Sequence, residues 1–521
     1  MNAKNCDYQI AIVGSGISSA YILIHLVSQL ERHPTGQPMR VAVIEKSGEF
    51  WAGVPYGMRS GRASLLISTL KEFLPRKKER APFVEWLNKN RERLFGQTGA
   101  DSGMLSAQWL RANQQAMDAG QWDELFIPRF TFGVYIQERL REVLATAAAR
   151  GILECELVHG DTFDVQRDEN AYTLDVTLAS GNATTLRAQK VVLAIGSPQN
   201  TNLQNLKPAE ADPGSCFIED LYLPSLAENV RKIEHFLKSP AGREHNEVLI
   251  AGSNASALEA LYMLNSSADT IGQIGKFFVI SPSGEFPHRI NPEPTPAGYP
   301  PKNLHALVAR GARTAQEILE AVTLDVSCAK AHGASIADMH REVSAGILAA
   351  LDQLRPAEQE DFVVRVGVEI GRLQRRAGGE YLNIVDRLVA DGKLEFIKGK
   401  LNAITTAPDG RPGFSYRENG AEIPQKREAS IGVTIGCVGA VNLEKTPAPL
   451  IQNIIRRKLC APNASRRGFI VNEHYEASEN FYIMGPLIAG NYVGTVRVWH
   501  AESCHRIISI AETFAEVLSS K

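Results

Sequence analysis

The sequence predicts an α/β protein with two parallel sheets, and three observations lead to this fold class. The apolar run from Ile10 to Val13 meets a Gly-Ser-Gly turn and then a helix-like pattern. The same order recurs from Glu247 in the stretch NEVLIAGSNASALEALYML. Each unit is followed later by short alternating strands and by an apolar strand that ends in Ile-Gly. Because several elements repeat in order, the chain is predicted to contain two units of one architecture.

Length, composition and net charge favour a globular protein of more than one domain over a nucleic-acid-binding or membrane-spanning protein. A chain of 521 residues is too long for a single core. With 44% hydrophobic residues and a formal net charge of -2, it has no general attraction for nucleic acid or an anionic membrane. No apolar run approaches the roughly 20 residues that span a bilayer, and the first residues lack the layout of a signal peptide. Seven cysteines are scattered without a CxxC pair, which predicts reduced thiols in a cytoplasmic protein and no metal cluster.

The first unit has the pattern strand, turn, helix, strand. We predict strands at Gln9–Val13 and Val41–Ile44 and a helix at Ser18–Leu30, a βαβ unit that requires a right-handed crossover and a parallel sheet. Gly14 permits the sharp turn, and Gly16 lets the backbone approach a pyrophosphate at the helix N-terminus. This is the Rossmann arrangement, so the unit is predicted to bind a dinucleotide.

Two further residues indicate which dinucleotide is bound. Ser19 stands where the fingerprint usually has its third glycine, and a small residue can serve there because this position governs strand–helix packing. Glu45, at the end of the second strand, is placed to accept the ribose hydroxyls and repels a 2′-phosphate. The first turn is therefore predicted to bind FAD or NAD rather than NADP.

Two later apolar strands favour FAD. The stretch FYIMGPLIAGN, residues 481–491, is a strand followed by Gly485 and a loop, as a flavin domain needs in order to reach the ribityl-pyrophosphate and the ring. The stretch VVLAIGSP reaches Gly196 in the manner of the strand that closes such a domain. Together with the repeated units, these strands predict FAD at the first site.

The second turn, GSNASALE, has Asn254 and Ala257 where a full fingerprint has glycines. Asn tolerates left-handed backbone angles better than most residues, so the turn stays compatible with a nucleotide. We predict that NADPH or NADH binds here; the alternative is a degenerate half that is kept for structure. The candidates to meet a 2′-phosphate after the next strand are Ser281, Ser283, His288 and Arg289.

Helical periodicity marks the block from Asn303 to Gly392, which predicts helices packed over a sheet or at a domain joint. The predicted fold is thus α/β, with two Rossmann-like dinucleotide-binding domains for FAD and NAD(P), β meanders and a helical insertion. The predicted domains are the first part of the FAD-binding domain, 1–205; the first part of the NAD(P)-binding domain, 206–300; the helical insertion, 301–392; the NAD(P)-domain and β-meander return, 393–427; and the second part of the FAD-binding domain, 428–521.

Four long stretches carry a resemblance to a known family. They are WAGVPYGMRSGRASLLISTLKEFLPRKKERAPFVEWL from Trp51, FIPRFTFGVYI from Phe126, LRPAEQEDFVVRVGVEIGRLQRR from Leu354, and GPLIAGNYVGTVRVWHAESCHRI from Gly485. In these stretches the chain resembles the FAD-dependent urate hydroxylases and L-aspartate N-monooxygenases, with the I-P-R-x-x-F-G-x-Y segment as the most specific match. The second turn resembles the G-x-G-x-S-A-x-E turn of N-hydroxylating monooxygenases. The resemblance implies a flavoprotein monooxygenase that uses NAD(P)H and O2.

The chain departs from that family at positions expected to face the flavin or the substrate. The family's Leu-Leu-Asn is Leu65-Leu66-Ile67 here, and its His-Arg-His-Arg-type run is Leu373-Gln374-Arg375-Arg376. Its Trp-Glu-x-Thr is replaced by Tyr492-Val493-Gly494-Thr495. The substrate of either branch is therefore not carried over to this chain.

The candidate catalytic residues are those expected near the flavin. Arg129, in the I-P-R segment, is a candidate to hold a carboxylate or a cofactor phosphate. Asn491 is a candidate to donate to a flavin oxygen or an amine, and Tyr56 to lie at the ring. The predicted cofactor-binding residues are Gly14, Ser15, Gly16, Ile17, Ser18, Ser19, Glu45, Lys46, Trp51, Gly53, Leu66, Arg129, Gly196, Gly252, Asn254, Ser256, Ala257, Gly485, Asn491 and Tyr492.

Three functions compete on this basis. The first is an FAD- and NAD(P)H-dependent monooxygenase that hydroxylates a small polar substrate, by preference the nitrogen of an amine or amino acid, through a C4a-hydroperoxyflavin. The second is a flavin-dependent NAD(P)H oxidoreductase without oxygen insertion, for which the missing CxxC argues against a disulfide acceptor. The third is a non-catalytic nucleotide-binding relative. The predicted partners are a small-molecule substrate and O2, with neither nucleic acid nor membrane; a homo-oligomer is left open.

Overall fold

The computed structural model describes residues 7–34, 36–96, 103–199, 201–206, 214–290, 299–406, 412–439, 441–494, 496–499 and 503–519. Thr495 therefore lies outside the described residues. The elements before residue 206 are β1 Tyr8–Val13, α1 Ile17–Arg32, β2 Met39–Glu45, α2 Gly53–Tyr56, α3 Leu70–Phe73, α4 Lys77–Phe95, α5 Gly103–Asp118, α6 Phe130–Ala149, β3 Leu153–Arg167, β4 Tyr172–Leu178 and β5 Ala183–Leu193.

The middle of the chain contains β6 Cys216–Ile218, α7 Leu226–Lys238, α8 Pro240–Glu244, β7 Glu247–Ala251, α9 Ala255–Leu264, α10 Ala268–Gln273, β8 Phe277–Ser281 and β9 His288–Arg289. The helical block contains α11 Lys302–Arg310, α12 Ala315–Ala331, α13 Ile336–Leu351, α14 Pro356–Asp361, α15 Gly367–Leu373, β10 Arg376–Ala377 and α16 Gly379–Ala390. The last part contains β11 Leu394–Lys398, β12 Lys400–Thr406, β13 Pro412–Arg417, β14 Gln425–Arg427, β15 Ile431–Gly436, α17 Pro449–Arg456, β16 Glu476–Ser478, β17 Phe481–Ile483, β18 Asn491–Val493, β19 Val496–Val498 and α18 Cys504–Ser519.

The first sheet combines strands from distant parts of the sequence. Its parallel strands run in the order β3-β2-β1-β5-β17, with Ile10 of β1 opposite Val41 of β2. Beyond their first residues, β1 and β2 are buried on both faces, as apolar strands of a parallel sheet are. Helices α1 and α18 pack against each other. The late strand β17 thus completes the sheet that begins with the first turn.

The first meander is continuous with this sheet. The first half of β3 pairs with β2, and its second half pairs antiparallel with β4. β4 pairs antiparallel with the first half of β5, before β5 continues alongside β1. The predicted alternating strands therefore extend the parallel sheet and do not form a separate body.

The second sheet is formed by one continuous stretch of the chain. Its five strands are all parallel and run in the order β11-β8-β7-β15-β6, and β12, β13 and β14 form an antiparallel meander. The predicted fold class, α/β with two Rossmann-like units and parallel sheets, is confirmed.

One predicted domain boundary is wrong. Residues from 428 onward were assigned to the flavin domain, but β15 pairs with β7 and β6 in the second sheet. The apolar strand that ends at Gly436 completes the second sheet as β5 completes the first. The return to the first sheet therefore begins after Gly436.

The helical block has a core of its own. Helices α11, α12, α13 and α15 bury apolar side chains around Leu304, Ile318 and Val343, and Trp499 from the last part of the chain joins them. A π-helical turn, Phe362–Val366, lies between α14 and α15. α16 differs from these helices, because it packs on α9 and its apolar side chains belong to the main core.

Candidate functional site

The first turn bends sharply because Gly14 has no side chain. Its φ is +91°, and an added Cβ would lie 2.6 Å from the carbonyl oxygen of Ala194, just after β5. The Gly14 N–H donates to the carbonyl of Ile44 at 2.8 Å. The turn is therefore held between β2 and β5, the position of a dinucleotide turn at the carboxyl ends of parallel strands.

Ser19 compensates for the missing third glycine. Its hydroxyl donates to the carbonyl oxygen of Gly14 at 2.6 Å, and the residue is fully buried. Ile17, the first residue of α1, is also buried. The side chain at the third position thus closes the turn from inside the helix and leaves its outer side open.

Three glycines converge on the start of α1. A Cβ on Gly53, whose φ is +62°, would lie 3.2 Å from the Cα of Gly16. A Cβ on Gly485, whose φ is +75°, would lie 3.1 Å from the hydroxyl oxygen of Ser18. The N-cap residue of α1 is Gly16, so no side chain caps the first backbone N–H groups of this helix. The late loop therefore reaches the first turn, and the backbone there is bare enough for a pyrophosphate to approach.

Glu45 binds the turn as well as facing the expected ribose position. One carboxylate oxygen accepts the N–H and the hydroxyl of Ser15, at 2.9 and 3.0 Å. The other accepts the N–H and the hydroxyl of Ser47, at 2.9 and 2.7 Å. All four acceptor positions of the carboxylate are thus used, so a ribose hydroxyl would replace one of the serine hydroxyls. Lys46 is exposed and pairs with Asp161 at 2.7 Å.

Further predicted residues form the walls around the turn. The N–H of Trp51 donates to the carbonyl of Ser15 at 2.6 Å, and this buried residue has a φ of +77°. Leu66 is buried, and its N–H donates to the carbonyl of Ile127 at 2.8 Å. Gly196, beyond the end of β5, has a φ of +74° and open space where a Cβ would stand.

Arg129 lies in a buried ion pair with Glu259 of α9. Its two terminal nitrogens meet the two carboxylate oxygens at 2.5 and 2.8 Å, and Glu259 is 2% exposed. Burial opposes the charge of Arg129, but the Glu259 carboxylate raises its pKa above the usual range. The two terminal nitrogens are thus committed to a partner within the protein, whereas the buried Nε has no hydrogen-bond partner among the described residues.

Glu259 is the site residue that sequence reasoning missed. It also accepts the hydroxyl of Tyr222 at 2.7 Å, and Ser64 lies at 3.5 Å. Tyr381 of α16 binds the backbone of Leu65 next to this group, as acceptor at 2.8 Å and donor at 3.1 Å. The sequence does mark Glu259 as the last residue of the GSNASALE turn, where it matches the Glu of the G-x-G-x-S-A-x-E pattern. That match does not indicate that Glu259 pairs with Arg129.

Asn491 braces the late loop. Its side-chain amide donates to the carbonyls of Phe469 and Ile488, both at 2.8 Å, and its side-chain oxygen accepts the N–H of Val471 at 3.3 Å. The residue is 6% exposed. Because both amide hydrogens are bound to backbone carbonyls, Asn491 has no hydrogen left to donate to a flavin, and the predicted direct contact needs correction to a bracing role.

The two predicted tyrosines lie in different surroundings. Tyr56 packs against Phe73 and Phe132 and lies beside Cys504 of α18; burial raises its pKa well above the usual value. The Tyr492 hydroxyl donates to Asp352 of the helical block at 2.9 Å. Tyr56 thus holds α18 to α2, and Tyr492 connects the late hairpin to the insertion.

The second turn repeats the packing of the first. Gly252 has a φ of +116°, and a Cβ there would overlap the carbonyl oxygen of Cys437 after β15. Asn254 is the N-cap of α9 with a φ of -110°, so the left-handed angle considered for it is not adopted. Ala257 is fully buried, and Ser256 lies near Tyr222, whose hydroxyl donates to Glu259. The side-chain amide of Asn254 makes no cap hydrogen bond to the backbone of α9.

The residues expected to meet a 2′-phosphate are partly engaged. Ser281 accepts the hydroxyl of Ser253 at 2.8 Å and the N–H of Gly284 at 3.1 Å. Arg289 binds Asn383 and Asp386 of α16, at 2.8 and 2.5 Å. The Arg289 guanidinium is thus held by α16.

Two features are absent from the described residues. No helix there is long and apolar enough to cross a membrane. No group of His, Cys, Asp and Glu side chains there is arranged to hold a metal ion. Burial raises the thiol pKa of Cys155, Cys216, Cys437, Cys460 and Cys504.

Sequence comparisons agree with this geometry. A family model described as FAD-NAD(P)-binding matches residues 11–198, which contain the first turn and β5. Uncharacterised proteins of Mycobacterium tuberculosis and Mycobacterium bovis are each 31% identical to this chain over 514 residues. The alignment covers 98% of this chain and 95% of each relative.

Solved structures share the fold over nearly the full length. The ornithine hydroxylase of Pseudomonas aeruginosa has a TM-score of 0.52 at 14% identity, covering 98% of this chain and 99% of that one. The Kutzneria ornithine N-hydroxylase, with reduced FAD, NADP+ and L-ornithine, has a TM-score of 0.53 at 14% identity over 98% and 99%. The FAD-bound cadaverine monooxygenase of Erwinia amylovora has a TM-score of 0.53 at 12% identity over 99% and 95%. At these identities the similarity concerns the fold.

Proposed function

Because this chain belongs to the FAD-NAD(P)-binding family, we propose that it is an FAD- and NAD(P)H-dependent monooxygenase. Its substrate is a small polar molecule, by preference an amine or amino acid that is hydroxylated on nitrogen. The observation that carries the proposal is the convergence of Gly16, Gly53 and Gly485 on the start of α1. It supports a flavin site that the late loop completes, within a fold shared with ornithine and cadaverine hydroxylases.

The residues of the first turn fit the adenine-bearing end of FAD. The pyrophosphate would lie over Gly16 and Ser18, where the first turn of α1 has no side-chain cap. Glu45 would accept the ribose hydroxyls in place of the Ser15 or Ser47 hydroxyl. Bound FAD supplies the redox and oxygen chemistry, which no side chain provides by itself.

The second turn is the site proposed for NAD(P)H. Gly252 allows the same close packing against the next strand as Gly14 does in the first unit. Asn254 at the N-cap of α9 offers its amide to a phosphate. Because ligands bind outside the carboxyl ends of parallel strands, the two dinucleotides would lie at comparable edges of the two sheets.

Arg129, Glu259 and Asn491 are proposed to hold the second turn and the late loop in position. The Arg129–Glu259 pair fixes α9, and with it the second turn, to the I-P-R segment beside the flavin unit. Asn491 fixes the late loop through two backbone carbonyls. Both contacts are largely withdrawn from solvent, which supports a role in holding the two turns in place.

The second candidate is an NAD(P)H oxidoreductase without oxygen insertion. A disulfide acceptor is disfavoured, because the sequence has no CxxC pair and burial raises the pKa of the thiols named above, which keeps them protonated. A quinone or another small acceptor fits this alternative better.

The test uses the purified full chain. We expect yellow protein with a flavin absorbance spectrum, oxidation of NADPH or NADH under air, and faster oxidation with an amine or amino acid from a screen. With isotopically labelled dioxygen, the product mass should carry one labelled oxygen atom. Colourless protein that cannot be reconstituted with FAD would contradict the proposal. Flavin reduction with an electron acceptor but no labelled product would favour the oxidoreductase.

A further inference from the structure

A carboxylate of the helical block binds both strands of the late hairpin, which consists of β18 and β19. The hydroxyl of Tyr492 in β18 donates to Oδ1 of Asp352 at 2.9 Å. Nη1 of Arg497 in β19 lies 3.0 Å from the same oxygen and donates to Oδ2 at 3.2 Å. Tyr492 and Arg497 are directly opposite each other in the hairpin. One side chain of the block thus holds a pair of opposite residues in the two strands.

The two hairpin side chains also contact each other. The Arg497 guanidinium lies over the Tyr492 ring, 5.3 Å from its centroid. Nε of Arg497 donates to the carbonyl of Gly494, between the two strands, at 3.3 Å. Because a guanidinium is attracted to an aromatic face, the hairpin presents both polar groups side by side to Asp352.

Asp352 contributes little to its own helix. It comes directly after α13, where its N–H donates to the carbonyl of Leu348 at 3.1 Å. A negative charge at the C-terminal end of a helix is unfavourable, because the helix dipole is negative there. The neighbouring Gln353 binds Val308 and Ala312 inside the helical block. Within the described part of the chain, in contrast, the Asp352 carboxylate bonds to the hairpin alone.

The hairpin is joined to the loop that completes the proposed flavin site. Asn491, opposite Val498 in the next pair of the hairpin, donates to the carbonyl of Ile488 at 2.8 Å. Ile488 belongs to the late loop, and a Cβ on Gly485 at the start of this loop would lie 3.1 Å from the hydroxyl oxygen of Ser18. A series of direct contacts therefore runs from the helical block through the hairpin and the late loop to the first turn.

The Asp352 contact lies close to solvent, unlike a second contact between the same segment and the block. The side chains of Asp352 and Arg497 are 50% and 41% exposed. Trp499, just after β19, is buried and packs against Phe362 with 5.4 Å between the ring centroids. Exposed ion pairs are weak and are screened by salt. The segment is thus attached firmly at Trp499 and adjustably at Asp352.

We propose that Asp352 is a positioning residue of the flavin site, which holds the hairpin and thereby the late loop against the first turn. This inference rests on the proposed function and gives the helical block a part in retaining FAD. The alternative is that Tyr492 contacts the flavin directly, as the sequence predicts. In that case the effect of Tyr492 on FAD binding would not depend on Asp352.

The experiment measures the dissociation constant of FAD from the full chain by flavin fluorescence, at about 0.05 M and about 0.5 M salt. The variants are Asp352→Ala, Asp352→Asn, Tyr492→Phe and the double variant of Asp352→Ala with Tyr492→Phe. Asp361→Ala is the matched control, because Asp361 forms an exposed ion pair with Arg365 within the helical block.

Two further measurements separate positioning from general stability. The N–H of Gly490 donates to the carbonyl of Val498 at 2.7 Å, and its hydrogen exchange should be faster in Asp352→Ala and unchanged in Asp361→Ala. Urea unfolding should be affected to a similar extent in both variants, since both lose an exposed ion pair. A residue with only a structural role would change the unfolding and leave FAD affinity at the level of the control.

We expect Asp352→Ala to raise the dissociation constant about fivefold at the lower salt concentration, because it removes the ion pair and the hydrogen bond. Asp352→Asn keeps an acceptor for Tyr492 and should raise it about twofold. Tyr492→Phe should raise it about twofold in the wild type and no further in Asp352→Ala. Asp361→Ala should leave it unchanged, and the higher salt concentration should reduce the difference between the wild type and Asp352→Ala.

The proposal is overturned if Asp352→Ala binds FAD as tightly as the wild type, if Asp361→Ala weakens binding equally, or if Tyr492→Phe has the same effect in both backgrounds. If Asp352→Ala fails to fold, Asp352→Asn is compared with Asp361→Asn in its place. A wild type that binds FAD but inserts no oxygen contradicts only the monooxygenase activity, whereas a wild type that binds no FAD overturns both proposals.

Discussion

Arg129 at the start of α6 and Glu259 in α9 form a two-point ion pair between the I-P-R segment and the helix of the second turn. The pair is buried, and Tyr222 adds a third hydrogen bond to the carboxylate. The pair therefore joins the two units across 130 positions of sequence, together with the hydrogen bonds of Tyr381 to Leu65.

The first prediction concerns this ion pair. Arg129→Gln or Glu259→Gln alone should lower the free energy of unfolding by about 3–5 kcal/mol, because each leaves a buried charge without its partner. Replacing both residues with methionine should be less damaging than the sum of the single changes. Urea unfolding measures all of these variants. Arg91→Gln, which breaks an exposed pair with Asp118, is the control and should change the value by less than about 1 kcal/mol. Additive single and double effects would show that the pair is not coupled.

The second prediction separates the two turns. Gly14→Ala should abolish FAD binding, because the new Cβ would lie 2.6 Å from the Ala194 carbonyl oxygen. Gly252→Ala should retain flavin colour and lose NAD(P)H oxidation. Gly181→Ala is the control, since Gly181 has a similar φ of +86° but nothing within 4 Å of its Cβ position; it should show only the backbone strain of about 1–2 kcal/mol. Flavin absorbance per protein and NADPH oxidation are the readouts. A colourless Gly252→Ala protein that is otherwise folded would contradict the assignment of the second turn.

The third prediction tests whether Asn491 braces the loop or touches the flavin. Asn491→Asp removes the two donated hydrogen bonds and leaves the carbonyls of Phe469 and Ile488 without them. We expect FAD affinity to fall by about tenfold or more, as measured by the fluorescence of released flavin. Turnover at saturating FAD should change much less. Unchanged FAD affinity together with a collapsed turnover number would instead favour a direct contact with the ring.

The fourth prediction restores the glycine that is missing from the first fingerprint. Ser19→Gly should keep FAD binding, because the hydroxyl faces the Gly14 carbonyl inside the turn. It should lower the free energy of unfolding by about 2 kcal/mol, from the lost hydrogen bond and from glycine in a helix. Ser19→Ala, which loses only the bond, should lose about half of that. Chemical denaturation and flavin titration measure the two effects. A higher free energy of unfolding for Ser19→Gly than for the wild type would show that Ser19 does not stabilise the turn.

The fifth prediction concerns the loss of folding stability at acidic pH. Burial lowers the pKa of His25 in α1 from 6.5 to about 4. The unfolded chain therefore binds a proton more readily than the folded chain between these values, so stability present above pH 6.5 is lost as the pH falls towards 4. His25→Gln should reduce the fall in unfolding free energy between pH 7 and pH 4 by up to about 3 kcal/mol. His33→Gln, on the exposed end of the same helix, should leave it unchanged. Equal pH profiles for the wild type and His25→Gln would contradict the shift.

The sequence allowed the two sheets to be predicted because their signals are local. An apolar strand, a Gly-rich turn and a helix occupy about 20 consecutive residues in each unit, and the periods of strands and helices are visible in such a window. The replacement of the third glycine by Ser19 was also tractable, because its effect stays within one turn of α1.

The pairings within the site were not predictable in the same way. Arg129 was singled out, but its partner Glu259 lies far away in sequence, and nothing local shows that two such positions meet. Asn491 was assigned a donor role that its two backbone carbonyls already fill. The hydrogen bond of Arg467 to the carbonyl of Val363 likewise joins residues 104 positions apart. The residue types were visible, and their partners were a property of the tertiary fold.

The interleaving of the two sheets has a consequence for biosynthesis. The second sheet uses only residues 216–436, whereas the first sheet also needs β17 at residues 481–483, and α1 packs against α18. During translation from the amino terminus, all strands of the second sheet are therefore synthesised while the first sheet still lacks β17. The face of α1 that packs on α18 therefore stays uncovered until translation is almost finished, and until then the first turn lacks the late loop that reaches it.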